Sequence, residues 1–179
     1  DYEALLTNVV EAGKYNGALY AIPFKFSLAG VIGSKEILDE EGIEINDETW
    51  QASGFIDISR KVTKDLDGDE TIDRYALPQM PMESVVKLFI NTGNFIDYEN
   101  KKAYFDSTEF IELLRTLKSI SDDKLTHKKI KLLQEIPYKN SKEVVFSGGL
   151  FEGYRALLSF KYTLGGGDRV FFRLPSFGE

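Results

Sequence analysis

The chain has no cysteine, one histidine, one tryptophan and no long apolar run, and each shortage removes a class of chemistry. Without cysteine there are no disulfides, no thiolate metal sites and no cysteine nucleophile, although this does not by itself locate the protein. The single histidine, His127, leaves few nucleophile–base pairings, and no serine stands in a Gly-x-Ser-x-Gly setting. No apolar stretch approaches the roughly 20 residues that span a bilayer. Positive charge is also short. With 22 Lys and Arg against 29 Asp and Glu, the net charge of -7 repels phosphate backbones and anionic lipid surfaces, so nucleic acid is a poor partner.

What remains is the composition of an ordinary soluble domain, 42% hydrophobic and 28% charged over 179 residues. A chain of that length buries roughly 70% of the surface its unfolded form exposes, enough for one core without a covalent staple. Tyr2, Leu5, Leu6, Val9 and Val10 fall at helical spacing from the first residues, with no initiator Met and no signal-peptide apolar region before them. The chain is therefore read as a fragment that begins inside an organised element.

The opening helix is expected to stop at Gly13, and Asn16-Gly17 to turn the chain into a buried strand over Ala18 to Ile22, ended by Pro23. A second extended stretch covers Phe26 to Ile32. Ser34 is placed to cap a short helix that Gly42 closes, and Thr49 to open another with Trp50, Phe55, Ile58 and Val62 on its apolar side. Met82, Val85, Val86 and Phe89 form a further helical stripe. Asp106 and Glu109 have capping-box spacing before Phe110, Leu113, Leu114 and Leu117. Lys124, Lys128, Lys129 and Lys131 near His127 read as a solvated helix face. Glu143 to Phe146 and Val170 to Leu174 read as strands, separated by a helix from about Tyr154 to Tyr162 that Gly165 to Gly167 ends. Strands alternating with helices give an α/β layered domain, with an open mixed sheet flanked by helices and no internal boundary over residues 1–179.

Two constellations bear on chemistry. In Asp65-Leu66-Asp67-Gly68-Asp69-Glu70-Thr71-Ile72-Asp73, oxygen-bearing side chains recur at every second position, the spacing at which a tight loop wraps a hard cation such as calcium. Asp65, Asp67, Asp69, Thr71 and Asp73 are the candidate ligands. Glu70 stands where such loops carry glycine and Ala76 where they carry a bidentate glutamate, so the alternative is an Asp-rich turn satisfied by its own amides. Gly148-Gly149 and Gly165 to Gly167 lack the spacing of a phosphate-binding loop and read as turns or helix ends.

The segment Gly17-Ala18-Leu19-Tyr20-Ala21-Ile22-Pro23-Phe24, then Ser34-Lys35-Glu36-Ile37-Leu38 and Thr49-Trp50, resembles the family 1 extracellular solute-binding proteins of ABC importers. Matches continue in the same order through the Asp65–Asp73 loop into Tyr75-Ala76-Leu77, through Phe95-Ile96-Asp97-Tyr98 to Phe105-Asp106-Ser107, and to Val170 through Ser176. Gly33-Ser34-Lys35 departs from the family's usual Tyr-Asn-Lys.

The resemblance implies one lobe, the second in sequence order, of a periplasmic-binding-protein-like type II clamshell that closes by hinge bending. Its hinge-proximal strands would lie near 18–24 and 170–176, and the partner lobe is absent from this chain. It further implies non-catalytic capture of a sugar or oligosaccharide, an ABC permease as partner, and secretion. The parent would be a lipoprotein tethered through an upstream cysteine, or periplasmic in a Gram-negative cell. No cofactor is required, calcium at the Asp-rich loop being the one candidate.

Sugar capture needs aromatic faces for pyranose C–H surfaces and polar groups for hydroxyls. By position the candidates are Phe24 and Lys25 near the hinge, Met82 and Glu83 at a helix start, and Phe151 after Gly148-Gly149. Each also has a packing reading: Phe24, Phe151 and Met82 as core, Lys25 and Glu83 as surface charges. The alternatives are a peptide, polyamine or metal-chelate solute, a calcium-dependent structural or scaffolding domain, and last a glycosidase, which needs two carboxyls about 5 to 9.5 Å apart.

Overall fold

A computed structural model describes residues 7–79, 86, 90, 95–97, 99–131, 144–151 and 167–177. The first helix, α1 (Thr7–Glu11), ends where the Gly13 N–H reaches the Val10 carbonyl at 2.9 Å. Strands β1 (Lys14–Tyr15) and β2 (Ala18–Leu19) then pair antiparallel. Their two-residue turn holds Asn16 at φ 48° and Gly17 at φ 78°, the doubly left-handed turn that an Asn-Gly pair favours. The buried strand expected over Ala18 to Ile22 is not there. β2 stops at Leu19, and Tyr20 and Ile22 are exposed.

The central sheet is three-stranded. Strand β3 (Leu28–Ser34) lies between β8 (Phe146–Phe151) and β9 (Arg169–Phe172), antiparallel to both. Strand β4 (Leu77–Gln79) runs parallel to β7 (Thr126–Lys131), and the Val145 and Phe146 N–H groups donate to the Tyr75 and Ala76 carbonyls at 3.0 and 2.7 Å. Those bonds tie the β4–β7 pair to the edge of the central sheet, which makes the whole a mixed α/β arrangement as expected. A further hairpin joins β5 (Ile96–Asp97) to β6 (Lys102–Ala103).

Two helices cover one face of the sheet. In α3 (Ala52–Val62), Ala52, Phe55, Ile56, Ser59 and Val62 are buried; in α4 (Thr108–Asp122), Leu113, Thr116, Leu117 and Ile120 are. Both sets repeat every three or four residues, so each helix presents one apolar stripe to the sheet. Val31, Phe146 and Phe172 from the three strands join that core. Trp50 bridges the layers, with ring centroids 5.7 Å from Phe55 and 5.6 Å from Phe172, and Phe55 lies 5.6 Å from Phe146. Full burial of a side chain of this size stabilises the fold by about 1.5–3 kcal/mol.

The helix ends correct several expectations. Thr49 does not open α3: its N–H closes a turn on the Asn46 carbonyl at 3.2 Å, and Trp50 and Gln51 then bridge to Ser176, whose N–H the Trp50 carbonyl accepts at 3.2 Å, so the helix starts only at Ala52. Ser107, rather than Asp106, caps α4: its hydroxyl accepts the Phe110 N–H at 3.2 Å. Ser34 stands at the N-cap of α2 (Lys35–Glu40) but makes no side-chain cap bond, its N–H being bound to Val145 in the sheet. Gly42 closes α2 as expected, at φ 60° with the Ile43 N–H reaching back to Leu38.

Lysines 128, 129 and 131 belong to β7 and not to a helix; Lys124 takes φ 54° in the turn that ends α4. Gly148 and Gly149 are not a turn either. They pair with Val31 and Gly30 in the interior of β8. The expected helices around Met82 to Phe89 and Tyr154 to Tyr162 fall largely or wholly outside the described residues.

Candidate functional site

The Asp-rich loop joins α3 to β4, and its stem is the antiparallel bridge Lys64↔Arg74. Asp65 organises it: one carboxylate oxygen accepts the N–H of Gly68 at 2.7 Å and of Asp67 at 3.2 Å, the other that of Glu70 at 2.8 Å. Asp67 and Asp69 each repeat the pattern two residues on, to Asp69 and Thr71, and Asp73 accepts the Leu66 N–H at 2.7 Å. Asp-type side chains favour such turns because a short carboxylate reaches the amide two residues ahead. Those donors, the Gly68 N–H foremost, hold the Asp65 carboxyl below its ordinary pKa. Gly68 and Glu70 both take positive φ, at 81° and 68°. Glu70, which replaces the glycine of a cation loop, thus keeps the backbone form that the glycine allows.

Of the five candidate ligands, Asp65, Asp67 and Asp73 place carboxylate oxygens within 4.8 Å of one another. Asp69 is not part of that group of carboxylates. The base of the loop is fixed by an ion cluster, in which Glu41 at the end of α2 pairs with Arg74 and with Lys64 at 2.6 Å. Arg74 is buried and also donates from Nε to the Val62 carbonyl at 3.0 Å. The Lys64 hydrogen bond, with Arg74 behind it, holds the Glu41 carboxyl below the usual carboxylate range.

Of the sequence-selected ligand residues, Phe24, Lys25 and Phe151 are described. Phe24 stands on the segment between β2 and β3 with 99% of its surface open, so its ring is available to a planar partner. Lys25 is exposed beside it. Phe151 is 1% exposed at the end of β8, its ring 5.2 Å from Phe171 in an edge-on contact, so here the side chain packs within the sheet. Met82 and Glu83 lie outside the described residues.

Two surface features are ones that sequence reasoning misses. Tyr20, Ile22, Phe26 and Leu28 accompany Phe24 as exposed apolar side chains at every second position. A shallow groove between α3 and α4 is lined by Ser53, Asp57, Arg60, Glu112, Arg115 and Ser119. The alternation in the first is readable but fits a buried strand equally well, whereas the second brings together segments far apart in the chain and leaves no local signal.

No protein-family model matches the sequence, and no curated protein matches it. Solved structures do. An ABC substrate-binding protein from Listeria monocytogenes, in complex with cycloalternan, superposes with TM-score 0.69 at 17% identity, over 100% of this chain and 45% of that one. The sugar-binding protein MalE from Xanthomonas citri gives 0.71 at 15% identity, over 98% and 44%. A family 1 extracellular solute-binding protein from Alicyclobacillus acidocaldarius gives 0.67 at 13% identity, over 99% and 44%. The chain spans less than half the length of each of these proteins. It has the fold of one lobe of the ABC-importer solute-binding proteins, the architecture that its sequence resemblance implied.

Proposed function

We propose that the chain is a non-catalytic capture lobe for a sugar or oligosaccharide, working with a second lobe of the same polypeptide and handing its solute to an ABC permease. The observation that carries this reading is the match of nearly the whole chain to proteins that include several described as sugar-binding or solved with sugars. Phe24 adds support, since an open aromatic ring suits the C–H face of a pyranose. In this reading Phe24 supplies stacking, Lys25 and Glu83 bind hydroxyls, and Met82 adds an apolar contact to the solute, while Phe151 braces the sheet. The parent is secreted; among the described residues no helix is long and apolar enough to cross a membrane.

A thermal-shift screen of the parent polypeptide tests this. Ligand at a hundred times its dissociation constant stabilises the native state by about 2.7 kcal/mol, which raises Tm by several degrees. The expected result is a rise with one class of mono- or oligosaccharide, reduced by Phe24→Ala. A rise with polyamines or peptides and with no sugar overturns the solute assignment. A calcium arm run in parallel tests the Asp65–Asp73 loop, where a rise abolished by Asp65→Asn assigns it a cation.

A further inference from the structure

Asn16-Gly17, at the tip of the β1–β2 hairpin, is the only Asn-Gly pair in the chain. Both residues are exposed, and as the two turn residues they stand outside the ladder, which pairs Lys14 with Leu19 and Tyr15 with Ala18. Among the described residues, neither the Asn16 carboxamide nor the Gly17 N–H has a hydrogen-bond partner. A side-chain carbon at Gly17 would meet nothing within 4 Å, so the tip has room to rearrange. Asn46 and Asn100 differ on both counts. The Asn46 carboxamide oxygen accepts the Glu48 N–H at 3.1 Å, and Asp47 follows it. The Asn100 carboxamide nitrogen donates to Asp97 at 2.8 Å, and Lys101 follows it.

We infer that Asn16 is a self-modifying site, where the Gly17 backbone nitrogen displaces the carboxamide nitrogen and water completes the conversion to aspartate and isoaspartate. Once the Gly17 nitrogen sheds its proton it bonds to Asn16 Cγ, the Cγ–Nδ2 bond breaks, and Nδ2 takes up a proton and leaves as ammonia. The product is a succinimide ring, which water opens at either carbonyl. Across both steps one water is consumed and one ammonia released, with no oxidant or reductant. Glycine favours the attack because it has no Cβ to crowd the nitrogen and its backbone turns freely. Each product adds one negative charge to the chain's net -7. Aspartate leaves an Asp-Gly turn, which suits the same hairpin. Isoaspartate routes the backbone through Cβ, and a two-residue loop cannot absorb the extra carbon without losing the register of Tyr15 and Ala18. Two strand pairs make a marginal hairpin, so the bonds from the Tyr20 and Ala21 N–H groups to the Gly13 carbonyl are lost with it. The core is untouched, since none of residues 14–19 belongs to it.

Peptide mapping by mass spectrometry of the 179-residue chain, aged in native buffer and in concentrated urea, tests it, with isoaspartate read by enzymatic methylation and released ammonia measured alongside. In native buffer Asn16 is expected to convert at least roughly tenfold faster than Asn46 and Asn100, and about tenfold faster for each pH unit above neutral. Asn16→Gln is expected to abolish the conversion and its ammonia, because the longer side chain would have to close a larger ring. The purified isoaspartate form is expected to lose hydrogen-exchange protection at the Tyr20 and Ala21 amides at an unchanged urea midpoint, whereas Asn16→Asp keeps both. Conversion of Asn16 that is roughly tenfold slower in the folded chain than in urea overturns the inference, because the left-handed turn then guards the site. So does an equal rate at all three asparagines in native buffer. Full protection of Tyr20 and Ala21 in the isoaspartate form overturns the opening of the hairpin.

Discussion

Strand β3 and the segment that leads into it both carry apolar residues, yet one is the centre of the fold and the other lies open. In β3, Val31 and Ile32 are almost wholly buried: β8 and β9 satisfy both edges, and Val31 joins the core to which α3 and α4 contribute, while Ile32 lies on the opposite face. In residues 20–27 the same kind of side chain is exposed, with the segment outside any sheet. Apolar alternation therefore specifies that a strand has a face to bury, and not whether the covering surface lies within reach of the same stretch of chain.

Damage to the buried side should cost the most. Phe146 has no exposed surface and its ring meets Phe55 across the layers. Phe146→Ala is expected to lower unfolding stability by about 3–5 kcal/mol, through lost transfer energy and a cavity that a sheet residue between two neighbours cannot close. Urea denaturation reads it as a fall in midpoint at unchanged slope, and a loss under about 1 kcal/mol means that this layer is not the core.

A smaller effect comes from the sheet's other face. A side-chain carbon at Gly30 would sit 2.3 Å from the Phe171 ring and 2.9 Å from the Phe172 carbonyl oxygen. The half-open Phe171 ring can swing away, but the Phe172 backbone is held by the β3–β9 ladder. Gly30→Val is thus expected to cost about 1–3 kcal/mol by overpacking, despite the higher strand propensity of valine. A neutral or stabilising outcome shows that β9 can shift outward freely.

Features set by near neighbours were legible before the structure. The Asn16-Gly17 turn, the Gly42 helix end, the periodicity of α4 and the Asp-rich loop all follow from bonds spanning a few residues. Features set by distant partners were not. Gly148-Gly149 has the composition of a turn, and it is a strand interior because Val31 and Gly30, more than a hundred positions away, pair with it. The lysines around His127 look like a solvated helix face, and Lys128, Lys129 and Lys131 lie in a strand because β4 supplies a parallel partner. The candidate ligands fared similarly: the alternation around Phe24 was visible, but its exposure is a fact about the rest of the fold, and so is the burial of Phe151.

Next in size is the Ser107 cap. Its hydroxyl accepts one of the unpaired N–H groups at the start of α4, and Asp106 beside it does not replace that bond. Ser107→Ala is expected to lose about 1 kcal/mol, measured by the same urea midpoint, and Ser107→Asp to retain most of it. Equal loss in both variants would mean that the cap position matters through backbone geometry and not through the acceptor.

The smallest expected effect concerns the tie between α2 and the Asp-rich loop. The Lys64 and Arg74 cations keep the Glu41 carboxyl ionised to lower pH than in the unfolded chain, so in acid the unfolded state binds its proton first. Stability from the pair is therefore complete above the ordinary carboxylate range and drains away as pH falls through the lowered native value. Glu41 is partly buried, with 13% of its side chain open, but Lys64 is 41% open, so solvent screens part of the attraction and the contribution is modest. Glu41→Gln removes it at neutral pH and flattens the loss of stability with acid, while the slope that Asp65 and Asp97 share, from carboxyls held low by backbone N–H donors, stays in place. Identical acid profiles for the variant and the parent sequence would show that the cluster positions Arg74 without stabilising the fold electrostatically.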